Sequence, residues 1–183
     1  MSFDPKHSLI ALTGFMGSGK SSVGRALAVL LGWDFIDLDC EIERAQGRKI
    51  HEIFDGEGEP RFREIETVAL ALSITKMARP AVLATGGGTY VQPRNAELLR
   101  AAGATVVFLE ASAETLFPRC DSQAGDPVDA IRPLARDREA FLRLYEQRLP
   151  LYRMADLTVV SEYKTPEAVA REIAARLRLA RDR

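Results

Sequence analysis

The residues best suited to chemistry lie close together in residues 14–21, which read Gly-Phe-Met-Gly-Ser-Gly-Lys-Ser. The spacing G-x-x-x-x-G-K-S is that of a phosphate-binding P-loop, whose glycines let several backbone N–H groups point at one anion. Its lysine carries a charge to the terminal phosphates, and the following serine hydroxyl is suited to bind Mg²⁺. The predicted phosphate-binding residues are Gly17, Ser18, Gly19, Lys20, Ser21 and Ser22.

The flanking residues supply the elements that such a loop needs. The apolar run 9–12 precedes the loop and predicts a buried strand, and apolar residues at helical spacing follow it over 23–31. A helix that begins near Lys20 therefore aims its N-terminus at the phosphates. The alternative is a chance match in an ordinary strand–turn–helix.

Two carboxylates follow the predicted second strand, in Asp37-Leu38-Asp39. On an extended strand they point to opposite sides, but they converge on one site where the strand turns into a loop. One would hold Mg²⁺ through a water molecule, and the other a substrate hydroxyl. The alternative is helix capping, because Asp39 precedes a short helix whose first turn favours acids.

Two further segments carry candidate binding groups. Arg63 and Glu66 are spaced i,i+3 on a predicted helix, so Glu66 would orient Arg63, unless the two form only a solvated surface pair. Residues 86–88 are three glycines at the end of the third predicted strand, offering backbone N–H groups and close approach to a ligand, or else a tight turn. No aspartate at the end of this strand is available to bind Mg²⁺, so Asp37 or Glu110 would take that role.

Arginines follow the fourth predicted strand at Arg119, Arg132 and Arg148. Such cations stabilise charge on a transferring phosphoryl group or clamp a carboxylate. The polar, aperiodic stretch 121–129 is typical of a functional lid, the alternative being a plain surface loop. Pro150 is expected to kink or end its helix and so fix where Arg148 points.

The whole chain of 183 residues is interpreted as one domain, 1–183. Strand-like runs alternate with helical patterns, which indicates an α/β fold with a parallel sheet whose ligands bind at the carboxyl ends of the strands. The strands are predicted to end at Thr13, Asp37, Ala84, Leu109 and Val160. Helices are predicted over 20–31, 41–46, 61–77, 94–102, 114–119, 138–152 and 167–179.

Composition narrows the function classes. A net charge of -1 gives no indication of nucleic-acid binding. Cys40 and Cys120 form no C-x-x-C and are expected to be free thiols, and two isolated histidines make a zinc site improbable. We find no targeting signal and no membrane span, so we expect a cytoplasmic protein, and a monomer for lack of a long exposed apolar helix stripe.

Taken in order, these segments resemble the shikimate kinases, small P-loop kinases related to nucleoside monophosphate kinases. The likeness runs from about Leu9 to Leu177, and also includes Arg132-Pro133-Leu134 and the segment 148–152, Arg-Leu-Pro-Leu-Tyr. It implies a three-layer P-loop kinase fold with a five-stranded parallel sheet of order 2-3-1-4-5. A mobile lid at about 121–133 and substrate-binding helices at about 39–77 are also implied. The implied activity is ATP-dependent phosphorylation of the shikimate 3-hydroxyl, with Mg²⁺.

The resemblance also implies a role for each candidate residue. Asp39 would hold the shikimate hydroxyls and act as a base, and Lys20 and Arg132 would stabilise the phosphates. Ser21 and Asp37 would serve Mg²⁺, and Arg119 and Pro166 would enclose adenine. The implied shikimate-binding residues are Asp39, Phe54, Phe62, Arg63, Glu66, Gly86, Gly87, Gly88 and Arg148.

The chain departs from the family pattern at Ala135, where leucine is common, and in a longer lid that carries Asp121, Asp126 and Asp129. These three aspartates are expected to face solvent, since beside the nucleotide they would oppose its charge. Two other interpretations stay open. One is a gluconate or nucleoside monophosphate kinase of the same architecture, and the other is a kinase-like ligand-sensing module without turnover.

Overall fold

Five short parallel strands form the frame of the molecule. The structure, a computed structural model, describes residues 9–122 and 137–179. The strands are β1 (Leu9–Thr13), β2 (Asp34–Asp37), β3 (Ala81–Ala84), β4 (Thr105–Glu110) and β5 (Leu157–Val160). They pair in parallel in the order β2-β3-β1-β4-β5, which confirms the predicted order. Most of the predicted lid, together with Arg132, lies outside the described residues.

Helices connect the strands and cover both faces of the sheet. Their bounds are α1 (Lys20–Leu31), α2 (Leu38–Gln46), α3 (Ile50–Thr75), α4 (Pro93–Ala101), α5 (Ala113–Ser122), α6 (Arg138–Tyr152) and α7 (Pro166–Arg176). The fourth strand ends one residue later than predicted, and α2 begins three residues earlier, directly after β2. No described helix is both long and apolar enough to cross a bilayer.

Pro60 and Pro150 both lie within described helices, with different effects on them. We expected a helix from Arg61, but α3 starts at Ile50 and is broken at Gly58, whose φ of 78° and ψ of 171° are non-helical. Pro60 then falls in the first turn after the break, where its missing N–H costs no helical bond. Pro150 does not end its helix, because α6 continues to Tyr152. A proline this close to the helix end removes one bond and leaves the last turn in place.

The core forms as two layers because successive residues of β1 point to opposite faces. Ile10 and Leu12 pack with α1 and α7, whereas Leu9 and Ala11 pack with α2, α3 and α4. Every residue of β1 is buried. This explains why the strand reads as an unbroken apolar run rather than an alternating one.

The register of the strands brings the predicted functional segments to one edge of the sheet. Ala84 at the end of β3 is level with Leu12 of β1 and with Asp37 of β2. The P-loop, the two aspartates and the three glycines therefore leave the sheet side by side. The hydroxyl and N–H of Thr85 both donate to the Leu12 carbonyl, at 2.9 and 3.1 Å, and extend this alignment beyond the strands.

A pair of glycine substitutions tests the packing of α1 on the sheet. A Cβ at Gly24 would lie 2.6 Å from Cε2 of Phe35, so Gly24→Ala should lower the free energy of unfolding by about 1–3 kcal/mol despite its better helix propensity. Gly56 in α3 has nothing within 4 Å of the same position, so Gly56→Ala should be neutral or stabilise by about 0.5–1 kcal/mol. Urea unfolding of both variants measures the difference, and equal midpoints would contradict the packing.

Candidate functional site

The phosphate-binding loop joins β1 to α1 in the conformation that its glycines permit. Gly17 and Gly19 have φ values of 77° and 87°, in the left-handed region that side chains disfavour. Gly19 is the N-cap of α1, so the positive end of the helix dipole faces the space above the loop. That space is a cavity of about 200 Å³ lined by Met16, Gly17, Gly19, Lys20, Ser21, Ser22, Asp37, Asp39, Thr85 and Gly87.

The ammonium group of Lys20 lies across the loop. Its Nζ donates to the carbonyl oxygens of Gly14 and Phe15, each at 2.9 Å, and reaches Ser18 Oγ at 3.4 Å. These loop oxygens hold the cation at the cavity wall, where phosphate oxygens can replace them as acceptors. Ser18 is itself buried, so its side chain supports the loop from inside and does not form part of the loop surface.

Asp37 and Asp39 converge on this cavity because β2 turns directly into α2. The capping acid is Asp37, which accepts a long hydrogen bond of 3.5 Å from the Cys40 N–H, and Asp39 sits in the first turn. The capping alternative thus applies to Asp37 rather than to Asp39. The other carboxylate oxygen of Asp37 and the hydroxyl of Ser21 both belong to residues that line the cavity, and both are suited to bind a metal ion.

These donors fit a magnesium ion that also binds phosphate. In residues 9–122 and 137–179 no group of three or more His, Cys, Asp or Glu is arranged to hold a metal. Mg²⁺ is commonly held by one or two protein oxygens, with water and phosphate completing its shell. Glu110, the other candidate ligand, instead accepts two hydrogen bonds from Arg153, at 2.8 and 3.2 Å.

Arg63 is held between two carboxylates of α3. Its Nη1 donates to Glu66 Oε2 at 2.9 Å, and its Nε and Nη2 donate to Glu59 Oε1 at 3.2 and 2.8 Å. Burial lowers the pKa of Arg63, but the charges of Glu66 and Glu59 outweigh it and leave the pKa above its usual value. The guanidinium is therefore a fixed positive charge.

The alternative of a solvated surface pair is wrong for Glu66, whose side chain is 1% exposed, and describes Glu59, which is 59% exposed. We did not predict the role of Glu59 as a partner of Arg63. The i,i+4 spacing of the two residues was the signal in the sequence.

The three glycines make room for these side chains. A Cβ at Gly88 would lie 2.4 Å from Nη1 of Arg63, and a Cβ at Gly86 would lie 3.0 Å from Oδ1 of Asp39. A tight turn alone would not need both positions bare. The missing side chains let Arg63 and Asp39 approach the end of β3, beside Gly87 in the cavity wall.

Phe54 and Phe62 form an aromatic surface beside Arg63. Their ring centroids are 4.3 Å apart, although the two residues are eight positions apart along the chain, because α3 is kinked at Gly58. The guanidinium carbon of Arg63 is 5.2 Å from the centroid of Phe62.

Tyr152 connects α6 to the glycine segment. It is fully buried, its hydroxyl donates to the Gly87 carbonyl, and its ring stacks on Phe108 at 5.2 Å between centroids. Arg148, one turn earlier, reaches Tyr152 and lies with its guanidinium carbon 5.9 Å from the ring centroid of Phe15. We did not predict Tyr152 as a site residue, because nothing in the local sequence indicates a partner 65 residues earlier.

Two elements flank the P-loop on its other side. A Cβ at Gly17 would lie 3.5 Å from Cβ of Arg119, so α5 packs directly on the loop. Ser161, after β5, reaches the Ser18 carbonyl through its Oγ at 3.4 Å. Pro166 begins α7 five residues later, after the N-cap Thr165.

The structure thus brings the predicted site residues that it describes to one edge of the sheet, apart from two. Arg119 adjoins the loop from α5, and Pro166 lies at the start of α7. Arg132 lies outside the described residues. A larger hollow of about 510 Å³ beside β2 is lined by none of the predicted site residues that the structure describes.

The buried phenol of Tyr152 predicts a loss of stability at high pH. Burial raises its pKa to about 12, against about 10 for an unfolded tyrosine. Between these values the folded state keeps a proton that the unfolded state releases, so the free energy of unfolding falls as the pH rises, by about 1 kcal/mol between pH 9 and pH 11.

Tyr152→Phe should remove this part of the pH dependence. Tyr163→Phe, at a side chain that is 91% exposed, is the matched control and should behave as wild type. Urea unfolding at pH 9 and pH 11 measures the effect, and a Tyr152→Phe curve with the wild-type pH dependence would contradict it.

A family model and individual relatives of known sequence all indicate the same enzyme family. The family model for shikimate kinase matches residues 16–178. A shikimate kinase from Moorella thermoacetica is 46% identical over 166 residues, which are 90% of this chain and 91% of that protein. One from Persephonella marina is 37% identical over 169 residues, with 92% and 98% covered.

Solved structures agree with the sequence relatives. Shikimate kinase from Acinetobacter baumannii, in complex with shikimate, superposes with a TM-score of 0.83 at 36% identity, covering 96% of this chain and 95% of that one. A gluconokinase from Sinorhizobium meliloti superposes with a TM-score of 0.62 at 21% identity over 97% and 95%, which shows a common fold alone. Identity at the level of the Moorella protein, over nine-tenths of both chains, extends well beyond a common fold, and this chain belongs to the shikimate kinase family.

Proposed function

We propose that this protein transfers the γ-phosphoryl group of ATP to the 3-hydroxyl group of shikimate. The observation that carries the proposal is the convergence of Arg63 and Asp39 on the glycine segment, next to the P-loop cavity. Shikimate has a carboxylate and several hydroxyl groups, and these need a cation and a hydrogen-bond acceptor. The Acinetobacter enzyme in complex with shikimate supports the same substrate class.

The nucleotide is proposed to bind with its phosphates in the P-loop, against the N–H groups of residues 17–22. Lys20 Nζ, which now donates to the carbonyl oxygens of Gly14 and Phe15, would donate instead to the terminal phosphates. Ser21 and Asp37 would hold Mg²⁺, which neutralises charge on the phosphates when bound. Arg119 and Pro166 are proposed to enclose the adenine ring, since both adjoin segments that contact the loop.

The acceptor is proposed to bind between α2, α3 and α6. Arg63 and Arg148 pair with the shikimate carboxylate, Glu66 orients Arg63, and the Phe54–Phe62 surface packs on the ring. Gly86, Gly87 and Gly88 leave room for the substrate beside β3. Asp39 then orients the acceptor hydroxyl toward the cavity that it shares with Lys20 and accepts its proton.

Catalysis follows from positioning and charge. In-line transfer passes through a loose transition state that needs little help from a base, so the first task of Asp39 is to orient the hydroxyl. Lys20 stabilises the charge that develops on the transferring group. The proposed role of Arg132 in the same task stays a prediction, as do the single domain, the cytoplasmic location and the monomeric state.

An acceptor comparison tests the proposed reaction. ADP release by the purified protein with MgATP should be fast with shikimate and at background with gluconate or AMP. Turnover with gluconate or AMP in place of shikimate would keep the P-loop chemistry and reject the proposed acceptor. ATP binding without turnover for any acceptor would support a ligand-sensing module.

We call the proposed pairing of Arg63 and Arg148 with the shikimate carboxylate the carboxylate clamp. Removing one of these arginines should weaken the binding of shikimate and not that of ATP. Arg63→Ala should raise the KM for shikimate by roughly tenfold to a hundredfold, because a charge-assisted pair contributes about 1.5–3 kcal/mol, and should leave the KM for ATP nearly unchanged. Arg61→Ala is the control, since Arg61 is exposed and pairs only with Glu57 and Glu64 among the ion pairs of the described residues. Equal weakening of both substrates by Arg63→Ala would reject the clamp.

A further inference from the structure

We propose that Thr89 is a positioning residue of the acceptor site, whose hydroxyl fixes the carboxylate of Glu66 and, through it, the guanidinium of Arg63. The inference rests on the proposed function, because the readout is binding of the shikimate carboxylate. Thr89 bonds to Glu66 and is not among the residues that line the P-loop cavity. It is therefore assigned no contact with substrate.

The contacts form a chain of two hydrogen bonds through Glu66. Thr89 Oγ1 donates to Glu66 Oε1 at 2.7 Å, and Arg63 Nη1 donates to the other oxygen, Oε2, at 2.9 Å. Thr89 is fully buried and Glu66 is 1% exposed, so water has little access to either carboxylate oxygen. Each oxygen of the buried charge thus has one protein donor, on opposite sides of the carboxylate.

The hydroxyl is needed because acidic oxygens are crowded at this point. The empty Cβ position of Gly86 is 3.0 Å from Asp39 Oδ1, 3.1 Å from Glu66 Oε1 and 3.0 Å from Thr89 Oγ1. One oxygen of each carboxylate therefore lies close to the same glycine. The hydroxyl of Thr89 holds Glu66 Oε1 in place, whereas without it this buried oxygen loses the hydrogen bond that Thr89 donates.

The backbone holds Thr89 rigidly enough for this role. Its N–H donates to the Gly86 carbonyl at 3.1 Å, which closes the turn after β3. Its own carbonyl accepts from the side chain of Asn95 at 3.1 Å and from the N–H of Gln92 at 3.2 Å. Asn95 is fully buried, so the first turn of α4 anchors the threonine from below. The position of the hydroxyl is thus set by the turn and passed on to Glu66.

Replacing Thr89 by an isosteric residue tests the proposal. Thr89→Val removes the donor and keeps the volume, and should raise the KM for shikimate roughly tenfold while the KM for ATP and kcat stay near wild type. Thr89→Ser retains the donor and should restore the wild-type KM. Thr67→Val, which removes a buried hydroxyl that donates to the Arg63 carbonyl on the same helix, is the matched control and should change neither KM.

A double-mutant cycle separates positioning from a general structural effect. If Thr89 acts through Arg63, Thr89→Val should have little further effect on kcat/KM for shikimate in an Arg63→Ala background. Additive losses would overturn the proposal, as would a Thr89→Val enzyme with the wild-type KM or with both KM values raised equally.

The crystal structure of Thr89→Val gives a readout that needs no turnover. We expect the Glu66 carboxylate and the Arg63 guanidinium to have moved, and an unmoved pair would overturn the positioning role. The rate of the wild-type protein with shikimate tests the proposed function on its own. A moved pair in a protein without shikimate turnover would reject that function and keep the structural coupling.

Discussion

The backbone ladder of β3, paired with β1 on one side and with β2 on the other, is the constraint on which the site depends. Because β3 separates the strand of the P-loop from the strand of the two aspartates, the three glycines at its end lie between the two sets of polar groups. The Thr85 hydrogen bonds to Leu12 keep this spacing beyond the strands. The P-loop and the two aspartates are therefore held on either side of a single parallel strand.

A second constraint is electrostatic, and it opposes stability. Glu66 is a buried charge, and removing a carboxylate from water costs several kcal/mol unless good partners repay it. Hydrogen bonds from Arg63 and Thr89 hold the Glu66 carboxylate in one orientation. The burial of Glu66 thus lowers stability but fixes the position of the Arg63 guanidinium. Glu59, on the other edge of the Arg63 guanidinium, is exposed to solvent and binds it more weakly. Another carboxylate can therefore replace Glu59 at that edge.

The sequence alone predicted the frame well because strong local signals coincided with it. The P-loop spacing, the apolar run of β1 and the positions of the strand ends are short-range patterns, and they defined the sheet and most helices. The segment 50–57 was missed because Gly56 and Gly58 interrupt its helical pattern, and only the packed structure shows that one of them lies inside a helix and the other at the break.

The site was predicted less completely for a related reason. Asp39, Arg63 and the glycines have local signatures, but Thr89 and Tyr152 act on partners 23 and 65 residues away. Such contacts depend on tertiary packing, which local spacing does not encode. The burial of Glu66 was likewise open, because an i,i+3 pair reads the same whether its helix face meets solvent or the core.

The central position of β1 has a consequence for synthesis of the chain on the ribosome. β1 is made first, but its neighbours are β3 and β4, and its pairing begins with residues 81–84 and is completed with residues 105–108. Until then this mainly apolar strand has at least one unpaired edge, which exposes the element that carries the P-loop to wrong association. The nascent chain therefore leaves β1 without any partner strand until residues 81–84 are made, and with one open edge until residues 105–108 follow.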